Sequence, residues 1–184
     1  VTLRDDAHQV LSRWTAPDAE QEHLRLAYLD HLAQHPDAMS RACHPDHLTA
    51  SVLIVSSDHA RVLLTLHRRL GRWLQTGGHC EPGDATLAAA ALREGREESG
   101  IGDLVVDDVP VLLSLHEVPS CGSIRPSHHL DVQYVAVAPA GSREVLSDES
   151  DDLAWFGLDD PPGDADQSVR DLIAAATRRL RENP

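Results

Sequence analysis

The sequence predicts an α/β layered domain preceded by a helical extension. Three observations carry this. Short apolar segments with two-residue alternation recur between turn residues, the pattern of strands. One alanine-rich stretch, residues 85–99, lies among them with helical spacing. An amphipathic segment at residues 168–181 supplies a second helix, so strands surround one central helix and another can cover the sheet.

In chain order, residues 5–35 read as two helices broken at Ala16-Pro17-Asp18. Val10, Leu11 and Trp14 form the apolar stripe of the first; Leu24, Leu26, Tyr28, Leu29 and Leu32 form that of the second. Pro17 and Asp18 start the second helix, Glu20 and Glu22 lie early in it, and His35-Pro36 ends it. His44-Pro45-Asp46 is a connector, which divides the chain into an extension at 1–45 and a domain at 46–184. The helices hold too much apolar surface for a free tail. They are expected to pack on their own sheet or across a twofold homodimer, with the balance slightly toward the dimer.

Residues 48–55 are apolar and β-branched, Ser56-Ser57-Asp58-His59 turns the chain, and residues 61–67 alternate, which reads as a hairpin. Trp73-Leu74-Gln75 is a short strand leading into a glycine loop. Residues 109–118 and 131–137 read as strands on either side of a polar loop at 119–127. A short strand at 153–156 precedes the Pro161-Pro162-Gly163 breaker and the last helix.

Composition narrows the function. The 184 residues suit one domain with an appendage, and 41% are hydrophobic. A net charge of −14 argues against nucleic-acid polymers as partners. No apolar run approaches the ~20 residues that a membrane-spanning helix requires. The first residues lack the pattern of a signal peptide, so a cytoplasmic location is expected. There is no lysine, which rules out Schiff-base chemistry and leaves phosphate recognition to Arg, His and backbone N–H groups. Cys43, Cys80 and Cys121 are odd in number and widely spaced, so no disulfide framework is expected. His79 and Cys80 have no second ligand pair beside them in sequence, and a local structural role is expected. His128 and His129 open a strand and read as a solvated edge. Trp73, Tyr134 and Trp155 could stack on a base, although core packing is the default for each.

The chemistry concentrates at Gly77-Gly78-His79-Cys80-Glu81-Pro82-Gly83-Asp84 and Arg93-Glu94-Gly95-Arg96-Glu97-Glu98-Ser99-Gly100-Ile101. Glu94, Glu97 and Glu98 stand at i, i+3 and i+4 and share a helix face, where like charges repel. A divalent cation compensates such a cluster, and Mg²⁺ prefers a few carboxylates with water and phosphate oxygens.

This segment resembles the Nudix box. The family pattern is Gly, five residues, Glu, seven residues, then Arg-Glu, an apolar residue, any residue, Glu-Glu, any residue, Gly and an apolar residue. Gly78, Arg93, Glu94, Glu97, Glu98, Gly100 and Ile101 match it. Asp84 stands in place of the first Glu, eight residues (85–92) replace seven, and Gly95 replaces an apolar side chain. The extra residue can be absorbed before the helix settles, and Gly95 weakens the helix by ~1 kcal/mol relative to Ala.

The resemblance covers about residues 47–182 and implies an α/β/α sandwich with a mixed sheet. It implies attack of water on phosphorus in a diphosphate linkage of a nucleoside diphosphate-type substrate. Glu94, Glu97 and Glu98 would hold Mg²⁺ or Mn²⁺, the Gly77 carbonyl would complete the shell, and Arg93 would orient a box glutamate. Glu94 is the candidate for a water-activating role. Glu149, six residues before Trp155, is a candidate metal ligand or general base; solvation of an acidic loop is the competing reading. The partner implied is a small phosphorylated substrate. Two other functions compete: a noncatalytic nucleotide-sensing domain, disfavoured because all three box glutamates are present, and isomerisation of an isoprenoid diphosphate, which needs a reactive Cys that Cys80 does not match.

Overall fold

The computed structural model describes residues 1–43, 45–118, 126–148 and 150–182. Helices α1 (Leu3–Arg13) and α2 (Ala19–Gln34) come first. Strands β1 (His47–Ser56), β2 (Arg61–His67), β3 (Arg72–Leu74) and β4 (Thr76–His79) precede helix α3 (Leu87–Ser99). Then come β5 (Val105–Val106), β6 (Leu112–Glu117), β7 (His128–Ala138), β8 (Ser150–Gly157) and helix α4 (Gln167–Glu182).

β1 is the spine of an eight-stranded mixed sheet. It runs parallel to β7 over its whole length, from His47 opposite His129 to Ser56 opposite Ala138. On its other edge it pairs antiparallel first with β4 and then with β2. β3 and β8 pair with β2, while β5 and β6 pair with β7. All ten residues of β1 are buried, as expected of a strand covered on both faces.

Strand alternation divides the core into two layers. Leu48, Ala50, Val52 and Ile54 of β1 join Leu130, Val132, Tyr134 and Ala136 of β7 under α1, α2 and α3. Leu53 and Val55, with Val62, Leu64 and Val135, pack against Val169, Leu172, Ile173 and Ala176 of α4. The result is the α/β/α sandwich expected from the sequence.

The N-terminal helices belong to the first layer. Thr2 and Asp5 form a reciprocal capping box on α1, and the Asp18 side chain caps α2 by accepting from Gln21 N. Leu11, Trp14, Tyr28 and Leu32 are buried against the chain's own sheet, while Leu26 is exposed. Trp14 Nε1 donates to the Pro110 carbonyl at 2.6 Å. The Gln21 amide donates to Leu113 O at 3.0 Å and accepts from Leu113 N at 2.7 Å, extending the sheet's hydrogen bonding into α2. Most of the apolar surface that suggested a dimer is therefore covered within the chain.

Candidate active site

The start of the glycine segment, expected as a loop, belongs to strand β4, while residues 80–84 turn outside any strand or helix. Gly77 lies opposite Ser51 and Gly78 opposite Ala50 on β1. Both glycines are required by close approach. A Cβ on Gly77 would lie 2.6 Å from Ser51 Cα, and one on Gly78 would lie 2.8 Å from the Glu94 carboxylate. The bare backbone at Gly78 is what lets Glu94 rest against β4.

Helix α3 is held at both ends. Thr86 Oγ1 accepts from Ala89 N at 3.0 Å, and Asp6 of α1 accepts from Leu87 N at 2.8 Å. A carboxylate from the extension thus satisfies a terminal N–H and complements the helix dipole. At the other end Gly100 adopts φ 69° and closes the helix in the left-handed conformation that glycine favours.

The departures from the box now have physical explanations. Asp84 pairs with Arg93: Arg93 Nε donates to Oδ1 and Nη2 to Oδ2, each at 3.1 Å. The Asp84 side chain is only 6% exposed, and its Oδ2 also accepts from Glu81 N at 2.7 Å. The eight residues 85–92 span the Thr86 cap and the first turns of α3. Gly95 faces β1, where a Cβ would come within 2.7 Å of Val52 Cγ1. An apolar side chain there is excluded by how closely α3 sits on the sheet.

Arg93 is the hub. Besides Asp84, its Nη1 donates to Glu94 at 2.9 Å and Glu97 at 3.1 Å, and its Nη2 donates to the His79 carbonyl at 2.8 Å. Hydrogen bonding to Asp84 is the largest cause raising its pKa above the usual arginine value. A planar guanidinium can tie the loop, β4 and two box carboxylates together in this way, as a lysine could not. Glu98 reaches β4 separately, accepting from Gly77 N at 3.0 Å. Glu94 and Glu98 therefore converge on Gly77–Gly78, whereas Glu97 is 60% exposed on the outer side. The donors gathered here are oxygens, the set that suits Mg²⁺ or Mn²⁺.

Other candidates are placed differently. Glu149 lies outside the described residues, as does Cys121. Before Glu149 the chain passes the end of α3, where Val145 N donates to Ser99 O at 2.8 Å. Tyr134 is fully buried in the core and cannot stack on a ligand. Trp73 packs edge-on to Phe156 at 4.8 Å, and Trp155 lies beneath Arg61 while donating to Glu144. Cys80 is buried, and burial pushes its thiol up to about 12, which leaves it protonated and unsuited to nucleophilic work.

His128 pairs with Asp46 at 2.9 Å, but His129 turns inward beside His47 and His79. Burial is the largest cause lowering His79 to about 4 and His129 to about 3, so both imidazoles are neutral at pH 7. Sequence reasoning missed this grouping because strand pairing, not local spacing, assembles it.

A glycine-bearing strand thus faces a glutamate-bearing helix inside a mixed-sheet sandwich. The chain belongs to the Nudix family, whose NUDIX domain model matches residues 45–182. A NUDIX-family hydrolase from Clostridium perfringens is similar at 23% identity and TM-score 0.59, with 75% of this chain and 98% of that one covered. A C. elegans Ap4A hydrolase matches at 19% identity and TM-score 0.59, over 73% and 98% of the two chains. The NUDIX domain of Shewanella oneidensis NrtR, complexed with ADP ribose, matches at 19% identity and TM-score 0.57, over 82% and 97%. No curated protein matches the chain at a significant level.

Proposed function

We propose that this Nudix protein is a metal-dependent hydrolase that cleaves a diphosphate linkage in a small nucleotide-type substrate, with water attacking phosphorus, and that it works in the cytoplasm. The observation that carries the proposal is the convergence of Glu94 and Glu98 on the Gly77–Gly78 backbone, with Arg93 bonded to Glu94. The similar Ap4A hydrolase and the ADP ribose-bound NUDIX domain both concern nucleotides with phosphoanhydride bridges, which is the substrate class proposed.

The residues divide the work as follows. Glu94, Glu97, Glu98 and the Gly77 carbonyl would hold Mg²⁺ or Mn²⁺, which would supply charge stabilisation for phosphoryl oxygens. Arg93 keeps Glu94 in one orientation by a charge-assisted hydrogen bond, so the carboxylate is placed to accept a proton from attacking water. Glu149, six residues before Trp155 in the sequence, is a second candidate base. A sensing domain without catalysis is the weaker reading, since the chain keeps all three box glutamates.

A panel of dinucleoside polyphosphates, ADP-sugars, nucleoside triphosphates and coenzymes, incubated with Mg²⁺ or Mn²⁺, tests the proposal by product identity. Turnover should require the cation. Glu98→Gln should lower kcat by at least about 100-fold, the scale of several kcal/mol of lost charge stabilisation. It should also blunt the rise in Tm that saturating cation gives the native state. Absence of turnover across the panel, with Tm unmoved by either cation, would refute the reading.

A further inference from the structure

At the end of the sheet nearest the box, four strands each contribute a histidine. β1 begins with His47, β4 ends with His79, β7 carries His129 as its second residue, and β6 carries His116. Register explains why they meet. His47 lies opposite His129, His129 lies opposite His116, and His79 pairs with Thr49 two residues along β1. The rings of His47, His79 and His129 form a nearly equilateral triangle, with centroids 5.1, 4.9 and 4.9 Å apart. One ring nitrogen from each lies within 4.8 Å of the other two.

We propose that His47, His79 and His129 form a transition-metal site of the zinc class, separate from the carboxylate site of the box. Two details point to a ligand. His47 is fully buried, and its Nδ1 lies 3.2 Å from the Cys43 carbonyl. With Nδ1–H donating to that oxygen, the lone pair falls on Nε2, the arrangement that orients a metal-binding imidazole. The Nε2 of His129 is buried and has no hydrogen-bond partner among the described residues. Buried polar atoms are nearly always paired, and a metal ion would satisfy this one.

The donor set decides the metal. Three imidazoles without a carboxylate suit Zn²⁺, Ni²⁺ or Cu²⁺ and discriminate against Mg²⁺, which takes oxygen ligands. Tetrahedral Zn–N bonds of about 2.1 Å place nitrogens about 3.4 Å apart, so small ring rotations close the triangle. Three protein ligands leave a fourth position for water or another donor, and exposed His116 has its ring 5.4 Å from that of His129. Arg41 opposes a cation here, since its charge bears on both His79 and His129; it is exposed to solvent, which screens that charge.

The site would clasp the end of β4 to β1 and β7. That end carries the His79 carbonyl to which Arg93 donates. Binding would therefore fix the strand that positions Gly77 and Gly78, without an ion entering the carboxylate site.

Calorimetric titration of the full chain with Zn²⁺, in excess Mg²⁺ to saturate the box, tests this. One high-affinity Zn²⁺ per chain is expected. Loss of an orienting partner costs a metal site 10–100-fold in affinity, so His79→Gln and His129→Asn, which remove a ligand, should each weaken binding by more than about 100-fold. Glu98→Gln should bind Zn²⁺ like wild type, as should Cys43→Ser, which alters the neighbouring His35, Asp37 and Cys43 group. Imidazole ¹⁵N spectra of the wild-type protein provide a readout that needs no variant. One equivalent of Zn²⁺ should shift His47, His79 and His129 together. Spectra without those shifts, or full Zn²⁺ affinity in both histidine variants, overturn the site. Neither readout depends on turnover, so an inactive protein that still binds Zn²⁺ through these histidines would sink the hydrolase reading alone.

Discussion

Asp84 shows how a residue can depart from a pattern and keep its work. It is one methylene shorter than glutamate, yet both of its oxygens meet Arg93, and its side chain is nearly buried. Replacing it by Asn removes one charge from this paired arrangement and leaves an amide facing a guanidinium. A hydrogen bond to a charged group contributes about 1.5–3 kcal/mol. Asp84→Asn should therefore lower unfolding free energy by about 2 kcal/mol in urea titration. It should also lower kcat more than it changes KM, because Arg93 would hold Glu94 less firmly. A variant with wild-type stability and kcat would show that Arg93 is fixed well enough by Glu94, Glu97 and the His79 carbonyl. At this scale the box glutamates were legible because helical spacing places them on one face. The three histidines were not, since residues 47, 79 and 129 become neighbours only through the β1–β7 and β1–β4 pairings.

Among the elements, the contact between α3 and β1 sets two effects against each other at Gly95. Gly→Ala in a helix interior ordinarily gains about 1 kcal/mol. Here the new methyl would sit 2.7 Å from Val52 Cγ1, on a fully buried side chain between the helix and the sheet. Overpacking of that kind costs about 1–3 kcal/mol and outweighs the helix gain. Gly95→Ala should thus lower the urea midpoint, and pairing it with Val52→Ala should recover part of the loss as a coupling energy of at least about 0.5 kcal/mol. A raised midpoint in the single variant would mean that α3 can shift outward freely. The sequence presented Gly95 only as a weak helix residue, because its neighbour lies on another element. The same limit hid β4, whose glycines read as loop although their missing side chains are what permit pairing with β1. β5 escaped notice because two residues carry no period. Longer elements such as β2 and α4 were legible from alternation and amphipathic spacing.

Across the whole molecule, the layered α/β architecture followed from the pattern of strands around one helix, but the placement of α1 and α2 did not. Their apolar stripes demanded a partner surface without saying whose. The structure supplies it from the same chain. Trp14 and Gln21 bond to the segment from Pro110 to Leu113, and Asp6 caps the box helix. Removing residues 1–34 would expose the first core layer and leave the Leu113 amide and carbonyl without these partners. Unpaired buried polar groups cost about 1–3 kcal/mol each, and the lost apolar burial adds about 25 cal/mol per Å². Together these approach the 5–15 kcal/mol that holds a typical domain folded. The truncated chain is expected to aggregate or to lose its cooperative thermal transition, as read by light scattering and calorimetry. The milder Gln21→Ala should stay folded with Tm lowered, because it removes the side-chain partner of Leu113 while keeping both helices. A truncated chain that is monodisperse and melts at the wild-type temperature would make the extension an accessory; loss of folding on truncation, with the graded effect of Gln21→Ala, would make it part of the domain that positions the box.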